Sequence, residues 1–200
     1  MKRRAAVAGL LSLMLLALVP ATEAAALEEL MQRLARVKSS KVEFVEKRYT
    51  VFLDKPMVVR GTLEFRAPDT MIKHSRTPIE ERFVARGKRL SIERVEQGER
   101  VRHEATLDEF SFLAPLVQGL RATLAGDLKT LRKYYRIRFR GDVKRWELRL
   151  VPIVETEASD EEDPGFGNLV KEIRIQGRDD RIRSVEIFET TGDRSVMTIL

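Results

Sequence analysis

The chain of 200 residues has no cysteine, only two histidines and one tryptophan, and aromatic residues make up just 6% of it. Without cysteine there is no disulfide framework, no thiolate nucleophile and no thiolate metal site. His74 and His103 are the only imidazoles, and no Ser, Asp or further His stands at a motif spacing from either. H-E-x-x-H, G-x-S-x-G and the phosphate-cradling G-x-x-x-x-G-K-[S/T] do not occur. No apolar run reaches the ~20 residues of a bilayer-spanning helix. These absences leave no catalytic residue, metal ligand or cofactor to expect, so the chain does not read as an enzyme. A hydrolase working through His74 or His103 is the remaining catalytic alternative.

What is present begins with an address. Met1-Lys-Arg-Arg4 is cationic, residues 5–20 are apolar, and Ala24-Ala25-Ala26 is a small-residue site. These are the three parts of a cleavable secretory signal. Residues 1–26 are expected to be removed near Ala26, leaving 27–200 as one soluble, monomeric domain. No Cys follows the apolar run, which excludes lipid attachment there. Export without cysteine points to a bacterial periplasm. The formal net charge of +6 falls to +4 once Lys2, Arg3, Arg4 and Glu23 are gone. Export removes nucleic acid as a partner for that charge and leaves a transient, weak attraction to anionic membrane surfaces.

Leu27, Leu30, Met31, Leu34 and Val37 recur at helical spacing and predict an N-terminal helix ended by Ser39-Ser40. From Val42 the period changes to two: Val42 and Phe44, Leu63 and Phe65, Leu90 and Ile92, Ile137 and Phe139, then Trp146, Leu148 and Leu150. Ile173 and Ile175, Val185 and Ile187, and the Val196–Ile199 alternation follow. Each strand thus has one apolar and one charged face, with Gly-containing turns between antiparallel neighbours. Within Leu107–Lys133 the helical stripe Leu113, Leu116, Val117, Leu120 and Leu124 is interrupted by Pro115 and Gly119, which predicts short, broken helices. Glu155–Asn168, which includes Asp160–Asp163, is acidic and turn-rich. It reads as a solvated excursion whose carboxylate spacing does not match the calcium-loop pattern.

The fold class is mainly β with α. The expectation is an open, strongly curved antiparallel sheet of roughly ten strands, an incomplete β-barrel, with helices over its concave apolar face. Pro68 and Pro78 bracket a short extended segment and suit strand ends or an edge, its charges facing water. The apolar face has two readings, a permanent core or a cavity for an apolar ligand. An acyl chain of ~16 carbons would gain on the order of 12 kcal/mol on burial.

Gly61-Thr-Leu-Glu-Phe65, Pro68, Pro78, Gly87-Lys88 and Leu90, in that order, resemble the LolA-like outer-membrane lipoprotein carrier family. So do Leu30-Met-Gln-Arg-Leu34 through Ser39 near the start, and Gly177-Arg-Asp179, Ile182 and Asp193-Arg-Ser195 near the end. The resemblance implies a periplasmic carrier that takes the acyl chains of a lipid or lipoprotein from an inner-membrane transporter to an outer-membrane acceptor. It implies a lipid cavity lined by Phe44, Leu63, Phe65, Leu90, Ile92, Trp146 and Leu148, and a lid containing Phe110, Phe112, Leu113, Leu116 and Leu120. The family places a lid-holding Arg directly before the first proline. Here Ala67 stands there and Arg66 one position earlier, which makes Arg66 the candidate gating residue and puts the latch in question. The same fold also occurs as a lipid or envelope-stress sensor that binds a partner protein, and this is the non-enzymatic alternative.

Overall fold

The computed structural model describes residues 19–110, 113–153 and 169–200. Helix α1 (Val19–Leu34) leads into β1 (Ser39–Tyr49), followed by β2 (Met57–Arg66), β3 (Thr70–Thr77), β4 (Glu81–Arg86), β5 (Arg89–Glu96) and β6 (Glu99–Thr106). Helices α2 (Ala114–Ala125) and α3 (Leu128–Tyr134) then carry the chain to β7 (Tyr135–Asp142) and β8 (Arg145–Pro152). The last strands are β9 (Val170–Arg178), β10 (Arg181–Glu189) and β11 (Arg194–Ile199).

The eleven strands of the described residues form one antiparallel sheet in the order β6-β5-β4-β3-β2-β1-β11-β10-β9-β8-β7. The chain winds outward through hairpins from β1 to β6, crosses by the helices to the far edge, and returns until β11 pairs with β1. The sheet is not closed into a barrel. This is the mainly β, open antiparallel architecture that the alternating pattern predicts.

The two-residue period places Phe44 in register with Ile199 on β11, two residues from Met197. Met197 continues through Val185, Ile175 and Leu148 on the same face. Leu27, Leu30, Met31 and Leu34 of α1 lie against this face in one buried cluster with Phe44, Trp146, Leu148, Leu150, Ile173 and Ile175. Each such side chain contributes about 2 kcal/mol by leaving water. Trp146 stands opposite Gly177, where the indole covers the β9 backbone, and its Nε1 donates to the Asp179 carbonyl at 3.0 Å.

Eleven strands among the described residues agree with the expected roughly ten. Three expectations need correction. Helix α1 ends at Leu34 and Val37 lies in the following turn, its N–H bonded to the Leu34 carbonyl. The central helical stretch does not break at Pro115 or Gly119. Pro115 sits in the first turn of α2, where its missing N–H is harmless, and Gly119 lies inside α2, buried against Tyr135. The break falls at Gly126, whose φ of 67° ends α2, and Asp127 then caps α3 by accepting from the Thr130 N–H at 2.9 Å. Finally, of the two readings of the segment between the prolines the edge fails and the strand ends hold: it is β3, an interior strand between β2 and β4, with a proline in the turn at each end.

Candidate functional site

Every residue expected to line the cavity lies on the face of the sheet that the helices cover, because the registers keep one phase from β8 to β5. They do not share one surroundings. Phe44, Trp146 and Leu148 are buried in the main cluster beneath α1–α3, and Leu63 packs at its edge. Leu90 belongs to a second cluster, with Ala85, Leu107 and Val117, against which Phe83 and Ala114 pack. Phe65 is buried and belongs to neither cluster.

The two clusters do not merge. The row Phe65–Met71–Ala85–Leu90 runs across β2 to β5 into the second cluster. The next row on the same face, Val42–Leu63–Lys73–Phe83–Ile92, is only partly covered. This partly covered, mostly apolar row forms a seam. Helix α2 bridges it, with Val117 in the second cluster and Ala122 in the first. Of the expected lid residues, Leu116 and Leu120 on α2 pack against the main cluster, and Leu113 is half-buried at the N-cap of α2. Phe110 lies exposed in the preceding loop, and Phe112 falls outside the described residues.

Two features of the seam escaped the sequence pattern. The first is an ion cluster on the apolar face. Glu46 is 3% exposed between Val59 and Met197. It meets the Lys73 ammonium at 2.5 Å and the Arg48 guanidinium at 3.2 Å. Lys73 also lies 5.2 Å from the centroid of the Phe44 ring, so the charges of β3 do not all face water as expected. Burial works against ionisation of Glu46, but Lys73 and then Arg48 outweigh it and hold the carboxyl below its ordinary value. Burial pulls Lys73 below its own ordinary value, against the attraction of Glu46. The phase of Val42 and Phe44 along β1 already points Glu46 inward, and that was the available signal.

The second feature is the attachment of α2. Arg121 donates to the Gly87 carbonyl in the β4–β5 turn at 2.9 Å, while its Nε and Nη2 are buried without a hydrogen-bond partner. Burial lowers its pKa, against the nearby Asp69 carboxylate. At the other end of the helix the Tyr135 hydroxyl donates to the Pro115 carbonyl, and burial pushes the phenol well above its ordinary value. Arg66 is not part of this attachment. It lies on the opposite face, pairs with Glu64 of its own strand at 2.7 Å and is largely exposed. A one-residue shift along a strand reverses the face a side chain occupies, and Arg121 is the guanidinium that ties the helix to the sheet here.

Among the described residues the two histidines stand apart. His74 on β3 and His103 on β6 point to opposite faces, beside Glu80 and Glu96 respectively. Among the described residues no group of His, Asp and Glu could hold a metal ion, and no helix is long and apolar enough to cross a membrane.

The described residues thus form an open antiparallel sheet whose apolar face is covered by a helix bridging two separate cores. Residues 19–200 match the family model described as outer membrane lipoprotein carrier protein LolA-like. The chain therefore belongs to the LolA-like family, whose members are generally periplasmic carriers rather than enzymes. Among solved structures it is similar to a LolA superfamily protein from Nitrosomonas europaea, at 9% identity over 88% of this chain and 91% of the other, with a TM-score of 0.40. It is also similar to a DUF1329 family protein from Desulfovibrio piger, at 10% identity over 89% and 91%, with a TM-score of 0.29. No curated protein sequence matches the chain.

Proposed function

We propose that the protein is a periplasmic carrier that holds the acyl chains of a lipid or lipoprotein in the seam beneath α2. It would receive them from an inner-membrane transporter and release them to an outer-membrane acceptor. The observation that carries this reading is the seam itself. Val42, Leu63, Phe83 and Ile92 stay only partly covered, between two cores joined across α2. Swinging α2 outward would join the seam to the surface beneath Leu116 and Leu120, without unfolding the cluster under α1. An apolar chain laid along that surface gains about 0.8 kcal/mol per methylene.

The leader fits the same reading. Among the described side chains the fully buried residues of α1 begin at Leu27, so removal of residues 1–26 takes only Ala26 of the side chains packed against the core cluster. No step of transfer needs a nucleophile, metal or cofactor.

The test is uptake of a fluorescent fatty-acid probe by the purified protein. Saturable binding is expected, and Leu63→Arg or Ile92→Arg should weaken it while the circular dichroism spectrum is kept. Absence of saturable uptake, or uptake indifferent to both substitutions, would remove the seam as the binding site.

A further inference from the structure

The large apolar side chains left exposed among the described residues are gathered at one end of the sheet. Strand alternation makes this the end where β1, β3, β5, β8 and β10 finish. All of these side chains except Phe110 and Leu200 lie there. The loop between β1 and β2 presents Val51, Phe52 and Leu53 in succession, with Phe52 89% exposed and Val51 69%. The β3–β4 turn adds Ile79 at 64%, and Val95 stands beside the β5–β6 turn. The strand order sets these three hairpin ends side by side, each about 10 Å from the next. The result is a continuous apolar edge rather than isolated exposed residues.

The edge is built, not frayed. The Val51 N–H donates to Asp193 Oδ1 at 3.1 Å, which pins the loop to the β10–β11 turn, and the Leu53 N–H donates to the Thr50 carbonyl at 3.2 Å. Three apolar residues are thus held outward in an ordered turn, where the fold gains nothing from them.

The charges around the edge select the partner. Tyr49 lies under the Arg194 guanidinium at 4.7 Å and Tyr134 under the Lys133 ammonium at 5.0 Å. Among the described residues Lys47 and Lys55 make no ion pair. Of the nearby carboxylates Asp193 is engaged by Val51, Glu80 by His74 and Arg100, and Glu96 by Arg94 and His103, while Asp54, Glu81 and Glu99 make no ion pair among the described residues. Apolar tips in front, tyrosines under cations behind them, and free lysines at the flank follow the polarity profile of an anionic bilayer, from acyl boundary to headgroup. We infer that this hairpin end docks the protein on an anionic lipid bilayer, with Phe52 entering the interface. The inference rests on the exposed edge alone and does not depend on the seam.

The experiment uses the purified protein with vesicles of phosphatidylethanolamine and phosphatidylglycerol, and with vesicles of phosphatidylcholine alone. The indole introduced by Phe52→Trp should shift to the blue on the anionic vesicles and be quenched by brominated acyl chains, whereas buried Trp146 of the parent protein should not respond. Phe52→Asp, an exposed substitution, should keep the melting temperature and reduce co-flotation about tenfold or more. Lys55→Glu should weaken flotation at low salt. Fatty-acid probe uptake by Phe52→Asp should be unchanged, which separates the edge from the seam. No fluorescence shift on the anionic vesicles, or Phe52→Asp floating like the parent, would overturn the inference and leave the edge to a protein partner.

Discussion

Glu46→Ala should damage the fold more than most substitutions of a charged strand residue. The carboxylate is 3% exposed and neutralises Lys73, whose side chain is 22% exposed within the apolar row beside Leu63 and Phe83. Its removal leaves an ammonium there beside the like-charged Arg48, with Glu81 the remaining opposite charge acting on it. Breaking a fully buried pair costs ~3–5 kcal/mol. Lys73 keeps a partial path to water, which lowers the expected loss to about 2–3 kcal/mol. For a chain of this length that lowers the melting temperature by about 5–10 °C. Lys73→Ala should cost less, because Arg48 still faces Glu46. The double variant Glu46→Met with Lys73→Met removes both charges from an apolar surface and should fall within ~1 kcal/mol of the parent.

The pH dependence follows from the two shifts. Glu46 has a depressed pKa in the folded state, so its contribution is present above the ordinary carboxylate value of ~4.3 and is lost as pH falls through the folded value. The parent and Glu46→Ala should therefore converge in acid. Lys73 also has a depressed pKa, so the cost of its buried charge is complete below the folded value and disappears as pH rises through it toward the unfolded one. The deficit of Glu46→Ala should shrink in alkali. Thermal unfolding followed by circular dichroism across pH measures all of this. A single variant as stable as the parent at neutral pH, or a double variant no better than the single, would refute the reasoning.

Arg121→Met frees α2 from the Gly87 carbonyl but also removes two unpartnered buried nitrogens. Stability should change by less than ~1 kcal/mol, while amide exchange in α2 and the rate of probe uptake rise. Gly119→Leu places side-chain atoms where even a Cβ would stand 2.9 Å from Tyr135 Oη and 3.1 Å from Ile173 Cδ1. Overpacking of this kind costs ~1–3 kcal/mol, and urea unfolding should show it together with faster exchange in α2. Asp127→Ala removes the cap of α3, where the Thr130 hydroxyl and backbone N–H hold the carboxyl below its ordinary value. It should cost about 1 kcal/mol at neutral pH, by thermal unfolding, and progressively less in acid.

The curved sheet was legible because charge and apolarity alternate so strictly that every strand declares its inner face. Leu148 and Ile175 could hardly lie elsewhere. The N-terminal helix was legible for the same reason. Strand β3 was less so. Two prolines and a dense set of charges imitate an exposed edge, and only pairing with β2 and β4 shows that Lys73 turns inward toward a carboxylate two strands away. The helix break was misplaced because proline and glycine are breakers only by default. Pro115 in a first turn needs no hydrogen-bond donor, and Gly119 is small so that Tyr135 and Ile173 can approach. Arg121 as the tie on α2 was not readable, since its partner is a backbone carbonyl and the turn that supplies it is distant in sequence. Nor was the separation into two cores, because periodicity reports which face is apolar and not how completely a helix covers it.

The central claim is that the seam under α2 holds acyl chains, and the most direct measurement is native mass spectrometry of the protein purified from the periplasm of the producing cell, followed by solvent extraction. The expected result is an adduct of lipid mass released as an acylated molecule, and its depletion in Leu63→Arg. Protein that is consistently free of lipid, and that stays free when mixed with acylated molecules, would contradict it.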